Sequence, residues 1–138
     1  MNVHSDDPSP SKAGGYHRRM RLIVLGLVLA VGGLAAAYDY GVARPNVRQA
    51  DQDIAARAGQ SPPEIRSDDI RQIVGRQPSR IFQDQSNRVE VFSWVSGLPF
   101  RTHDLYVTFR EVTTDEGDSE SLYRGHSAFA YSPPSAEF

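Results

Sequence analysis

The sequence predicts an α+β fold attached to a membrane: an N-terminal transmembrane helix, then a short helix packed on a three-stranded antiparallel β-meander. Three observations carry this. Leu22–Tyr38, LIVLGLVLAVGGLAAAY, is an apolar run without a charge. Asp68–Val74 sets Ile70, Ile73 and Val74 at helical spacing, with Gly75 behind them. From Arg88 to Tyr131, runs dense in β-branched and aromatic residues are separated by turn-forming stretches.

The apolar run comes first because it decides where everything else resides. At 1.5 Å rise per residue it covers about 26 Å, just under the ~30 Å hydrocarbon core. Tyr38 and Tyr40 come after it as rings suited to the headgroup level, and Asp39 marks re-entry into water. His17, Arg18, Arg19 and Arg21 precede it, so the positive-inside rule keeps the N-terminus in the cytoplasm and exports the chain beyond Gly41. The expected location is therefore the inner membrane, with a single pass and an extracytoplasmic C-terminal domain. A secretory signal is the second reading of the same stretch. Basic residues, an apolar centre, Gly32-Gly33 and Ala35-Ala36-Ala37 would give cleavage near Ala37 and a secreted product. The long polar leader ahead of the run favours the anchor.

Composition bounds the remainder. With 138 residues in all, the chain beyond the apolar run has room for one small domain and not for a large active-site enzyme. A net charge of −2 with scattered basic residues offers no footprint for nucleic acid. The absence of cysteine excludes disulfides, thiolate metal sites, a thiol nucleophile and a lipidated cysteine. The expected organisation is a disordered cytoplasmic tail over 1–21, membrane segment 22–41, juxtamembrane helix and linker 42–63, exported domain 64–131, and flexible tail 132–138.

Within that plan, the Ser, Pro, Gly and Asp of Met1–Tyr16 cannot repay their ordering entropy. Asn46 caps a predicted helix over Val47–Ala58, with Gly59 as its stop, and Val47, Ala50, Ile54, Ala55 and Ala58 form one face. That face is mostly alanine, which suits a spacer helix resting on the domain and also permits a homo-oligomeric contact. Pro62-Pro63 makes a stiff linker. Ser67 is the predicted N-cap of the short helix, and Pro78 forbids its continuation. Ile81-Phe82 is a brief extended piece and Gln83–Asn87 a polar turn. Arg88–Ser96, Asp104–Val112 and Ser121–Tyr131 are the three strands, the last two joined by the acidic loop Thr113–Glu120.

Few residues offer chemistry. His103-Asp104 and His126-Ser127 hold the letters of a nucleophilic triad, but no nucleophile elbow surrounds Ser127. A hairpin turning near Glu116-Gly117 sets His126 opposite Val107 and His103 near Ala130, so the histidines are not cross-strand neighbours and a two-histidine metal site is not expected. The acidic loop Asp115, Glu116, Asp118 and Glu120 lacks calcium-loop spacing. The chain is expected to be non-catalytic, with no cofactor and no metal. Phe92, Trp94, Phe100 and Tyr106 remain as candidate contacts, forming either a patch for a protein partner or the lining of a ligand pocket. Core packing is the competing role for each of them.

The run DDIRQIVGRQPSRIF (Asp68–Phe82), with VEVFSWV and LYVTF behind it, resembles the SmpA/OmlA domain. Its pattern is a short helix ending in L-G-x-P, an aromatic strand and an apolar strand. Ile73–Pro78 stands at the helix end with one extra residue before the proline, Trp94 in the aromatic strand, and Leu105–Phe109 in the next. That family includes the small lipoprotein of the outer-membrane β-barrel assembly machine. The resemblance implies an envelope-assembly role without catalysis, here with an apolar segment in place of a lipid.

Overall fold

The computed structural model describes residues 13–60, 64–99, 101–113 and 117–134, which fall into two compact units, Met1–Leu34 and Ala35–Phe138. The predicted tail up to residue 12, Pro62-Pro63, Phe100, Asp115 and Glu116, and the chain from 135 onward lie outside the described residues.

In the first unit the described residues are helical, the opening part of α1 (Ala13–Tyr38). Every Leu, Ile and Val from Leu22 to Leu34 is exposed, by 55% at Val24 and 73% at Leu34. With a π-helical turn at Asp39–Ala43 and α2 (Arg44–Ala58), α1 makes a helix that among the described residues alone is long and apolar enough to cross a membrane. Apolar surface on all sides of a helix needs a non-aqueous neighbour or removal.

The sequence predicts a separate helix capped by Asn46, just after Pro45. The helix runs through instead. Proline donates no N–H and its ring presses on the carbonyl four residues back. Here the preceding turn widens: the Arg44 N–H donates to the Asp39 carbonyl, five residues away, and Pro45 falls in the first turn of α2, where a missing donor costs least. The wide turn also sets which side chains face the sheet. Asp39, Ala43, Val47, Ala50 and Ile54 are buried. Two successive four-residue steps overshoot a regular helix by about 80°, and the extra residue of the π turn absorbs much of that drift. Ala55 and Ala58 of the predicted face are exposed.

The second unit therefore includes helix residues from Ala35, upstream of the Glu64 start read from the sequence. Its next element is α3 (Ser67–Val74). Arg66 rather than Ser67 takes the N-cap position, because Asp69 Oδ2 accepts the Arg66 N–H at 3.0 Å and anchors the first turn. Gly75 ends the helix at φ 71°, a left-handed conformation that glycine adopts without penalty.

The sheet has four antiparallel strands in sequence order, one more than predicted: β1 (Arg80–Asp84), β2 (Asn87–Val95), β3 (Thr102–Thr113) and β4 (Ser119–Ala128). The extra strand is the Ile81-Phe82 piece, extended to Asp84, because the turn contracts to Gln85-Ser86 with Gln85 at φ 54°. Val107 pairs with His126, the register expected from the hairpin. On the inner face Phe92, Trp94, Leu105, Val107 and Phe109 meet Val47, Ala50 and Ile54 of α2 and Ile70 of α3 in one core. A register shift between Thr108 and Phe109 pairs Phe109 with Tyr123 and leaves Arg124 as the extra residue of β4. Simple alternation would put Tyr123 and His126 on opposite faces; the bulge brings both to the inner one.

On the outer face, Val89 and Val91 are fully buried. Phe129 turns the chain at φ 68°, and Tyr131 crosses the sheet to donate its hydroxyl to Asp84 Oδ2 at 2.5 Å. The Tyr131 ring meets Phe82 edge-on at 5.5 Å and Tyr106 at 5.6 Å. Pro134 lies over Gly125.

Candidate functional site: a groove at Trp94 and a basic pocket

The structure does not bring the four predicted contact residues together. Phe92 is fully buried and Trp94 is 7% exposed, both within the inner core. Tyr106 is on the outer face, its hydroxyl 3.4 Å from Asp104 Oδ2, and burial raises its pKa. Phe100 lies outside the described residues.

What Trp94 does present is the wall of a half-open groove of about 280 Å³, whose other walls include Asn46, Gln49 and Asp53 of α2 and Arg76 after α3. The Arg76 guanidinium lies 4.5 Å above the indole and donates to the Ser93 carbonyl at 2.7 Å. β1 stops at Arg80, opposite Val91, so among the described residues β2 continues from Phe92 to Val95 without a strand beside it on that edge. Ser79, through a 2.7 Å bond between its Oγ and that of Ser93, and Arg76 are the groups that reach this stretch.

A second arrangement lies where α1 passes into α2. Asp39 is buried, with Oδ1 2.5 Å from His103 Nε2 and Oδ2 accepting from Arg44 Nε at 3.0 Å; Ser96 adds its hydroxyl to the same carboxylate. Gly97 allows the loop after β2 to meet this helix, since a Cβ there would collide with the Ala35 carbonyl. Above the pair opens a pocket of about 390 Å³ lined by Arg44, Arg48, Arg101, Thr102, His103 and Phe129. Three arginines thus line the pocket, and of these Arg44 bonds to the Asp39 carboxylate. The guanidiniums of Arg48 and Arg101 make no ion pair or hydrogen bond with a described residue. Phe129, edge-on to His103 at 5.7 Å, is a non-glycine residue in the left-handed region, strain of about 1–3 kcal/mol that tends to cluster at binding sites.

The other histidine is tied more loosely. His126 Nε2 lies 3.4 Å from Asp51 Oδ1 while its Nδ1 meets the Tyr123 hydroxyl, whose pKa is raised by burial and by the charge of Asp51. The letters of a triad are dispersed: Asp104 and Ser127 face outward, where Ser127 Oγ accepts the Ser132 N–H at 3.1 Å, and both histidines face inward. Among the described residues no group of three metal-ligating side chains assembles. No family model matches the chain, and no curated protein or solved structure matches it either.

Sequence reading missed Asp39, His103 and the arginines as one site because the bond between Asp39 and His103 joins segments 64 residues apart. The available signal was a lone acidic residue directly behind an apolar run, a position where a carboxylate needs a partner.

Proposed function

We propose that this chain is a membrane-anchored, exported and non-catalytic module that recruits a protein partner in the cell envelope, using the groove beside Trp94. One observation carries the reading: among the described residues the β2 edge from Phe92 to Val95 has no strand beside it, and it adjoins a groove walled by tryptophan and arginine. An extended peptide gains main-chain hydrogen bonds along such an edge and side-chain specificity from the groove. Trp and Arg are also the residue types that dominate interface energetics. The resemblance to SmpA/OmlA domains agrees with an assembly role, and the exposed apolar helix of the first unit agrees with an anchor.

A photo-crosslinking residue placed at Arg76 or Val95, both exposed, is expected to capture one discrete partner in native membranes, while the same residue at Glu111 captures none. Equal capture from Glu111 would remove the groove from the proposal. Alkaline carbonate extraction is expected to leave the chain in the membrane pellet. A mature N-terminus near Tyr38 would replace the anchor by a cleaved signal.

A further inference from the structure

We propose that the basic pocket at Arg44, Arg48 and Arg101 binds the phosphate of an anionic phospholipid headgroup at the membrane surface. The proposal goes beyond partner recruitment and shares with it only the anchored reading of the apolar helix.

Arg44, Arg48 and Arg101 line a cavity that has no acidic residue in its lining, and the Asp39 carboxylate that bonds to Arg44 is also engaged by His103 and Ser96. Two guanidiniums are left with no described counter-ion, and guanidinium is the side chain whose fork matches a phosphate bidentately. The Asp39–His103 pair makes a fixed floor, so the cavity is built before any ligand enters. Thr102 adds a hydroxyl at the wall.

About 390 Å³ holds a phosphate together with a glycerol-sized group, within the range of ordinary ligand sites. Phe129, 42% exposed and held at φ 68°, gives the cavity an apolar wall. A free inorganic anion has no use for such a wall, whereas the glycerol and first methylenes of a lipid do.

Tyr38 and Tyr40 are exposed aromatic residues at the end of the apolar run, 48% and 66% respectively, of the kind that marks a headgroup layer. Arg44 and Arg48 lie beyond Tyr38 by about 9 and 15 Å along the helix. The headgroup layer is roughly 5–8 Å thick on each side, so Arg44 is rooted at its aqueous edge and Arg48 about one helical turn beyond, a gap that a long arginine side chain can bridge to a phosphate.

The test uses the full chain in neutral maltoside micelles, with bound lipid counted by native mass spectrometry. Phosphatidylglycerol is expected to be retained at one per chain and phosphatidylcholine not at all. The double variant Arg48→Gln/Arg101→Gln should weaken phosphatidylglycerol retention by about a hundredfold, a tenfold loss for each guanidinium. Arg110→Gln/Arg124→Gln, which removes the same charge from exposed positions on β3 and β4, should change it less than about threefold. Unchanged retention in the pocket variant, or equal retention of the two lipids, overturns the proposal. Displacement of the lipid by equimolar inorganic phosphate overturns the lipid assignment in favour of a free anion. Carbonate extraction of the wild-type chain reads the anchor separately, so loss of the anchor and loss of the site are distinguished.

Discussion

Each face of the sheet carries a cover, the inner face helix residues from Val47 to Ile54 with α3, the outer face the segment after β4, whose Tyr131 reaches Asp84. The inner cover is apolar at its centre and crossed by charge: Asp39 meets His103, Glu90 meets Arg71 and Arg88, and Asp51 meets His126. The outer cover depends on one ring, Tyr131, clasped between Phe82 and Tyr106 and tied to Asp84. The difference teaches that a helix fixes its register on a sheet with buried polar pairs, whereas a strap of a few residues needs only one aromatic anchor. Apolar contacts alone let a helix slide by a turn, and a buried carboxylate does not.

The largest expected effect breaks the inner face. Glu90 is fully buried, with Arg71 Nη2 on its Oε1 at 2.7 Å and Arg71 Nε on its Oε2 at 3.2 Å. Hydrogen bonding to Glu90 raises the Arg71 pKa against the opposing effect of burial, so the guanidinium stays charged throughout the folding range. Arg71→Met keeps the stem and removes the charge. It should cost about 3–5 kcal/mol, because Glu90 keeps only Arg88. Denaturant unfolding of the full chain, monitored by emission of the single tryptophan, Trp94, reads it. Arg71→Met combined with Glu90→Met is expected to recover most of the loss. Failure to recover would mean that Arg71 acts through packing, and the contrast between charged and apolar covers would fall.

How far each face could be read from the sequence obeys the same division. Val47, Ala50 and Ile54, and Ile70 with Ile73, announce their faces by spacing, so the helical layer was legible. Phe92 and Trp94 announced an apolar strand face but not whether a partner or the core would cover it. Tyr131 sits among Ser, Pro and Ala, and nothing local marks it as the lid of the other face. The strand at Arg80–Asp84 was half-legible, since its Gln-Ser turn carries a positive φ at a residue type that does not advertise it. Asn46 read as the start of a separate helix, whereas the π turn ahead of Pro45 lets one helix run through. The basic pocket was illegible for a plainer reason: its residues are ordinary until the fold joins Arg44 to Arg101.

The outer face should fail differently. Burial first, then the hydrogen bond and charge of Asp84, push the Tyr131 pKa up to about 12, against the ordinary phenol value of 10.0. A folded pKa above the unfolded one means that the neutral phenol is favoured by folding. Its contribution is complete below pH 10 and is lost as pH rises toward 12. Tyr131→Phe is expected to cost about 1 kcal/mol at neutral pH through the lost bond to Asp84, and to lack that component of the alkaline decline. Unfolding midpoints measured from pH 8 to 12 on both chains would show it; parallel curves would mean that Tyr131 does not hold the strap.

The smallest effect tests whether burial, rather than the mere presence of a histidine and a carboxylate, sets the strength of the inner ties. Asp51 keeps 35% of its side-chain exposure and stands 3.4 Å from His126, where Asp39 keeps 1% and stands 2.5 Å from His103. Water screens the Asp51–His126 pair and competes for both partners, so Asp51→Ala should cost no more than about 1 kcal/mol. It should also move the Tyr123 pKa back toward its ordinary value, since the charge of Asp51 is the second cause of the rise after burial. Ultraviolet titration of the tyrosines with and without Asp51 reads that shift, and unfolding reads the stability. A loss above about 2 kcal/mol would exceed what a screened pair supplies. It would place Asp51 beside Glu90 as a tie that fixes helix register, and the helix would then be pinned at its C-terminal end by charge as well as by Ile54.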